Sequence, residues 1–263
     1  MAAGLLAAAC SEPESPTPFP ATGPTTAIPA RFLFVNAAPG APQLNFLINN
    51  VQTGAAAGFG VAQAAYAPSQ TGNVQLRARA TTGQIGGTLG ASDLIFRAGA
   101  TNNNNFSAVS GRNYTVFATD TTTRPRPTTP AGVTDPGGSR FLVVEDNLAV
   151  PAAGKAHVRF FHLAAGAPAV CVNVAGSPTS LFANRSYRSV STGSGASLVN
   201  FANFTPVDAG TYAFEVRTGS ATGSVALSVP GVTLTAGKIY TIYANGLLRS
   251  TATPLNAGIV VHN

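Results

Sequence analysis

The sequence predicts an all-β protein: two tandem immunoglobulin-like antiparallel β-sandwich domains preceded by a Pro-rich tether. Three observations predict it. First, the chain repeats itself. Phe34-Val-Asn-Ala-Ala-Pro-Gly40-Ala-Pro42-Gln-Leu44 returns as Phe160-Phe-His-Leu-Ala-Ala-Gly166-Ala-Pro168-Ala-Val170, a step of 126 residues from Gly40 to Gly166 (166 − 40). The same step carries Gly111-Arg-Asn-Tyr114-Thr-Val-Phe117 onto Gly237-Lys-Ile-Tyr240-Thr-Ile-Tyr243. Second, short runs of strand length recur between Gly, Pro, Asn and Ser clusters, while helix signals do not. Third, 263 residues with 45% apolar side chains suffice for two domains of ordinary size, each with its own core.

In chain order, the first element is Ala2-Ala-Gly-Leu-Leu-Ala-Ala-Ala-Cys10, an apolar run of small residues ending at a cysteine. It resembles the end of a bacterial lipoprotein signal, with Cys10 as the lipidated residue. Two departures stand out: Leu6 lies one place earlier than usual, and no Lys or Arg precedes the run. A start placed upstream of Met1 would account for the second. Residues 1–10 are thus read as a signal remnant and 11–30 as a tether. Pro13, Pro16, Pro18, Pro20, Pro24 and Pro29 deny the tether both helix and ladder hydrogen bonds.

The first domain is expected over 31–147. Its strands are Phe32 to Val35, Leu44 to Ile48, Val74 to Ala80, Leu94 to Phe96, Tyr114 to Ala118 and Phe141 to Val144. Long polar loops fall at Thr119 to Arg140 and around Asn102 to Asn105. Residues 148–154 form a short linker. The second domain, 155–263, has strand signals at Val158 to Leu163, Val170 to Val174, Leu198 to Phe201, Thr211 to Arg217, Ser224 to Val229, Ile239 to Tyr243 and Gly258 to Val261. Alternation in Leu76-Arg-Ala78-Arg-Ala80 and Val225-Ala-Leu227-Ser-Val229 places one strand face inward. Asp208-Ala-Gly210-Thr-Tyr212 resembles the tyrosine corner of immunoglobulin-like folds, in which the Tyr212 hydroxyl would bond to backbone just upstream.

The chemistry-bearing residues are few. Charged side chains make up 9% of the chain and the formal charge is +6. Its thirteen Arg and two Lys are scattered, with no basic run to track phosphates, so nucleic acid is not an expected partner. No His-x-x-x-His, paired Cys, phosphate-binding Gly loop or Gly-x-Ser-x-Gly elbow occurs. No metal, cofactor or catalytic set is therefore expected. Cys171, within Ala169-Val-Cys-Val172, reads as a small buried hydrophobe. Glu145 and Asp146 read as loop residues just past a strand. His162 ends a strand before a Gly-Ala-Pro turn, and its counterpart at the 126-residue step is Asn36. Asn replaces the hydrogen bonds of His but not its acid-base chemistry, so a structural role is expected for both.

With Val158, Arg159, His162, Pro168 and Val170 in one copy and Phe34, Pro39, Pro42 and Leu44 in the other, the chain resembles the bacterial domain-of-unknown-function family DUF4397. An Asp in the family's opening pattern is replaced here by Cys171 and Asn45. The resemblance implies an immunoglobulin-like sandwich at the cell envelope and no assigned reaction.

The leading expectation is a non-catalytic, exported envelope lipoprotein. It would be held to the membrane by its lipid anchor on Cys10 and serve as a structural, accessory or binding module, with a protein partner in a membrane complex. The apolar second face carrying Leu33, Val35, Phe161 and Leu163 is the docking surface if the fold leaves it exposed. An alternative is a glycan or surface-polymer binder using loop ends with Tyr66, Arg185, Tyr187 and Arg188. A second alternative is a hydrolase with a site near His162.

Overall fold

The structure, a computed structural model, describes residues 27–83, 85, 93–97, 104–125 and 137–263. Cys10, tether residues 11–26, Asn102 and Arg126 lie outside them. The described chain is an all-β sandwich fold, as the short, turn-bounded apolar runs require. The first half supplies β1 (Ala30–Asn36), β2 (Leu44–Ile48), β3 (Val51–Gln52), β4 (Val61–Ala62), β5 (Ala67–Ser69), β6 (Gly72–Ala80), β7 (Asp93–Ile95), β8 (Asn105–Ala108), β9 (Asn113–Thr119) and β10 (Arg140–Asp146). The second half supplies β11 (Lys155–His162), β12 (Val170–Val174), β13 (Ser180–Arg185), β14 (Ser191–Thr192), β15 (Val199–Asn200), β16 (Thr205–Asp208), β17 (Gly210–Thr218), β18 (Val225–Leu234), β19 (Ile239–Asn245) and β20 (Asn256–Val261).

Each half folds into two facing sheets. In the first, an inner sheet ordered β10-β9-β1-β4, with β5 also on β1, covers an outer sheet ordered β3-β2-β6-β7, with β8 also on β6. In the second, the inner order is β16-β11-β19-β20 and the outer order β13-β12-β17-β18. One pair in each half is parallel, where purely antiparallel sheets were expected: β1 runs with β9, and β11 with β19. The chain enters each sandwich beside the strand that nearly ends it, after crossing to the outer sheet and back, so these two strands share a direction. Their registers agree at the repeat step: Arg31 pairs Asn113, and His157 pairs Ile239.

Period-two alternation explains how three cores form. On β1, Phe32 and Phe34 enter the first sandwich with Leu44, Phe46 and Tyr114. On β11, Val158 and Phe160 enter the second with Val172, Phe182 and Phe214. The opposite faces of these strands meet each other. Leu33, Val35, Phe117 and Val144 of the first inner sheet pack on Phe161, Leu163, Tyr243 and Val260 of the second, with Phe201 alongside. The apolar face considered for docking an outside partner is thus covered by the chain itself.

Several short elements were not legible. Leu198 to Phe201 is only the two-residue β15 after a single 3-10 turn at Gly195–Ser197. The strand β16 carries Pro206, which an edge strand tolerates because a residue without an N–H loses no ladder bond on the side that has no neighbouring strand. Glu145 and Asp146, read from sequence as loop residues, belong to β10. That strand continues because both still pair with β9, opposite Tyr114 and Asn113.

Candidate functional site

His162 closes β11 and is buried. Its Nδ1 accepts from the Ala164 N–H at 3.4 Å, and its Nε2 lies 3.0 Å from the Pro168 carbonyl, to which it donates. These partners require the neutral Nε2–H tautomer. Burial lowers its pKa from the usual value, against a smaller opposing effect of backbone carbonyls. Asn36 makes the same two bonds in the first sandwich: Nδ2 donates to the Pro42 carbonyl at 3.1 Å, and Oδ1 accepts from the Ala38 N–H at 3.3 Å. Both side chains pin a turn whose glycine, Gly40 or Gly166, has a positive φ of 78° or 74°. An apolar cavity of about 20 Å³ lies beside the imidazole, lined by Pro168, Leu227, Leu248 and Leu255 among others. It is no larger than about one water molecule, and His162 is the ionisable side chain on its wall.

At the corner before β17, the Tyr212 hydroxyl donates to the Asp208 carbonyl at 2.9 Å. The Asp208 carboxylate pairs with Lys155 at 2.8 Å on the surface. A second tyrosine device had no role assigned from sequence. The Tyr114 hydroxyl accepts from Val109 N–H at 3.2 Å, and the matching Tyr240 hydroxyl from Thr235 N–H at 3.0 Å. The repeated Gly-x-x-Tyr segments are this turn-to-strand clamp.

Arg185, Tyr187, Arg188 and Tyr66 do not line solvent-facing loop ends together. Tyr187 donates to Asp120 Oδ1 at 2.6 Å, and Arg188 donates to the Phe141 carbonyl at 2.9 Å, so both reach from the second sandwich into the first. Asp120 is buried and also receives Arg140 Nε at 2.6 Å. The Arg185 guanidinium lies 3.6 Å from the centre of the Phe201 ring. Its Nε and Nη1 have no hydrogen-bond partner among the described residues, and burial pushes its pKa down to about 10. Cys171 is buried, with its thiol 3.9 Å from the Gly219 carbonyl.

The densest polar cluster lies between the inner sheets and joins residues that sequence reasoning did not connect. Arg159 of β11 forms a buried ion pair with Asp146 of β10. Arg159 Nε donates to Thr241 Oγ1 at 2.8 Å, and Thr241 Oγ1 is 2.7 Å from His262 Nε2. His262 Nδ1 is 2.6 Å from the Tyr66 hydroxyl, which donates to Asp146 Oδ2 at 2.7 Å. One assignment of protons satisfies every member. Arg159 donates to Thr241, Thr241 to His262, His262 Nδ1–H to Tyr66, and Tyr66 to Asp146, while Arg159 closes the ring on Asp146. Thr115 Oγ1 adds a bond to Asp146 at 2.8 Å. Phe204 lies against the guanidinium, its ring centre 4.4 Å away.

Burial sets the chemistry of this ring. It pushes the His262 pKa down to about 4 and raises that of Tyr66 far above the usual phenol range, with Asp146 adding to the latter. The contact between Thr241 and His262 has the length of a nucleophile-base pair. Yet Thr241 is fully buried and its oxygen already accepts from Arg159, so no substrate atom can approach it. The ring acts as a clamp between sandwiches. Its sequence signal was the single Arg in Val158-Arg-Phe-Phe161, since a charge in a strand buried on both faces needs a buried counter-ion.

Among the described residues, no group of three or more His, Cys, Asp or Glu is placed to hold a metal ion, and no helix is long and apolar enough to cross a membrane. An open groove runs along β3, β4 and β5, with alanine its commonest lining residue beside Val51, Val61 and several polar side chains. Tyr66 is its ionisable side chain. A family model described as "Domain of unknown function (DUF4397)" matches residues 30–173, from β1 through most of β12. No curated protein matches the chain.

Proposed function

The chain belongs to the DUF4397 family, and from that premise we propose that it is a non-catalytic envelope lipoprotein. In this reading two copies of the domain are clamped into one brace or spacer, tethered through residues 11–30 to a lipid on Cys10. The observation that carries it is the clamp itself. Ten buried apolar residues and a closed polar ring join the two inner sheets, which fixes the angle between the sandwiches. A module that spaces or braces needs a fixed angle. Duplication is supported by the matching strand registers and by the equivalent bonds of Asn36 and His162. The non-catalytic reading draws on where the ionisable groups went: His162 pins a turn, and the hydroxyl-imidazole pair is sealed inside the clamp.

Two measurements on protein purified from its native membrane in mild detergent test the reading. Intact mass is expected to show a lipid-modified Cys10 as the first residue, and Cys10→Ser is expected to release the protein from the membrane fraction. A companion protein in fixed stoichiometry is expected to copurify. An unmodified chain in the soluble fraction would overturn the anchor, and a lone monomer would overturn the accessory role.

A further inference from the structure

The ring between the sandwiches has a fixed proton count, and that count makes it sensitive to acid. With His262 neutral, each hydroxyl and the imidazole donates once and accepts once around the cycle, and the charges of Arg159 and Asp146 cancel. A proton added at His262 Nε2 turns an acceptor into a donor facing Thr241. The Thr241 oxygen then receives two donors, from Arg159 and His262, and its own hydroxyl proton has nowhere to go. The ring would hold two cations against one carboxylate in a largely buried place, open to the groove, among the ring's residues, only at Tyr66. A proton added at Asp146 instead would remove the only counter-charge of Arg159 within the ring.

The groups facing His262 come from every element packed on it. They are Tyr66 ahead of β5, Asp146 of β10, Arg159 of β11, Phe204 ahead of β16 and Thr241 of β19. Asn263 follows in the chain, its carbonyl bonded to Lys238 at 2.7 Å on the exposed side. None of them accepts a second imidazole proton without giving up a bond it already makes. Once the sheets separate, water solvates all of them.

We infer that the interface is an acid-sensitive latch: as pH falls below neutral, the equilibrium shifts toward sandwiches parted at the 147–154 connection, each keeping its own core. The parting would bare Leu33, Val35 and Phe117 on one sheet and Phe161, Leu163 and Tyr243 on the other, an apolar surface hidden at neutral pH. The inference stands apart from how the chain is anchored. It is also distinct from ordinary acid unfolding, to which His162 of the second sandwich contributes, because the ionisable groups of this ring lie between the two cores and not within them.

The test uses the full chain carrying Cys10→Ser, which removes the only other native thiol, and Ala37→Cys, which places a thiol inside the buried interface, with Cys171 in the second sandwich as internal control. Labelling by 4,4′-dithiodipyridine is followed from pH 7 to pH 5, corrected for the rate of a free thiol. With His262 at about 4 when closed and the usual 6.5 when open, the opening equilibrium is expected to rise on the order of 20-fold. Cys171 should stay protected and the strand signal in circular dichroism unchanged. In the His262→Gln background, the rise should fall below about threefold. Equal protection of position 37 at both pH values, or the same rise in His262→Gln, would overturn the latch, as would simultaneous exposure of Cys171. If His262→Gln does not fold, NMR titration of the imidazole in the unsubstituted chain decides. A midpoint well below 6.5 that coincides with chemical-shift changes in β1, β9, β11 and β19 supports the latch. A midpoint near 6.5, or no accompanying changes, refutes it.

Discussion

Arg159 of the second sandwich donates to Asp146 of the first, and neither side chain is open to solvent. At the repeat step Arg159 corresponds to Leu33, while Asp146 lies opposite Asn113 in the first half and His262, just past β20, donates its N–H to the carbonyl of Ile239, the counterpart of Asn113. The two inner sheets are therefore alike in fold but complementary in charge where they meet. A buried pair of this kind adds little net stability over an apolar pair, yet it is costly to break one-sidedly. It favours this mating of the sheets over others.

Arg159→Leu alone should destabilise the protein by about 3–5 kcal/mol, because Asp146 is left buried without a counter-ion. The double variant Arg159→Leu with Asp146→Leu should recover most of that loss. Urea denaturation of the two variants and the parent checks it, and a double variant no better than the single one would contradict the pairing.

His162→Asn should be nearly silent, within about 1 kcal/mol, since Asn36 already makes the same two bonds in the first sandwich. His162→Ala strands two backbone groups and should cost about 1–3 kcal/mol. Thermal denaturation of both variants distinguishes them. A large loss in His162→Asn would mean that the imidazole does something an amide cannot.

Phe161→Ala should cost about 3–5 kcal/mol, as expected of a core residue rather than a surface one. Phe161 touches Phe117 across the interface, ring centres 5.8 Å apart. A change within about 0.5 kcal/mol would mean that the inner sheets do not meet in solution.

Acid should destabilise the fold. Burial lowers the pKa of both His162 and His262, the latter to about 4, whereas both titrate near 6.5 when unfolded. Below 6.5 the unfolded chain binds more protons than the folded one. The stabilisation is therefore complete above 6.5 and is lost as pH falls toward 4. Between pH 7 and pH 5, His262 alone should remove about 2 kcal/mol. Urea midpoints at the two pH values check the sign, which would be wrong if the midpoint rose in acid.

Much of the fold was legible because it is written in backbone needs. Gly40 and Gly166 require positive φ, and the flanking runs have strand length and alternate. The parallel pairs β1 with β9 and β11 with β19 were not legible, since strand direction depends on which sheet the intervening chain visits. The clamp was half legible. The face of Leu33, Val35, Phe161 and Leu163 was recognised as apolar, but its partner turned out to be its own counterpart. Tyr66, Asp146, Arg159, Thr241 and His262 span nearly 200 residues, and no local pattern links them. From sequence alone, Asp146 reads as a loop residue, and Tyr66 enters only as a loop-end aromatic in the glycan-binding alternative. Only the packing of one sheet on the other brings them together.

Whether the two sandwiches behave as one body is tested most directly by calorimetry of the full chain at pH 7.5. The clamp predicts a single unfolding transition with calorimetric and van't Hoff enthalpies in agreement, which splits into two when Arg159→Leu is introduced. Two independent transitions in the unsubstituted protein would contradict it.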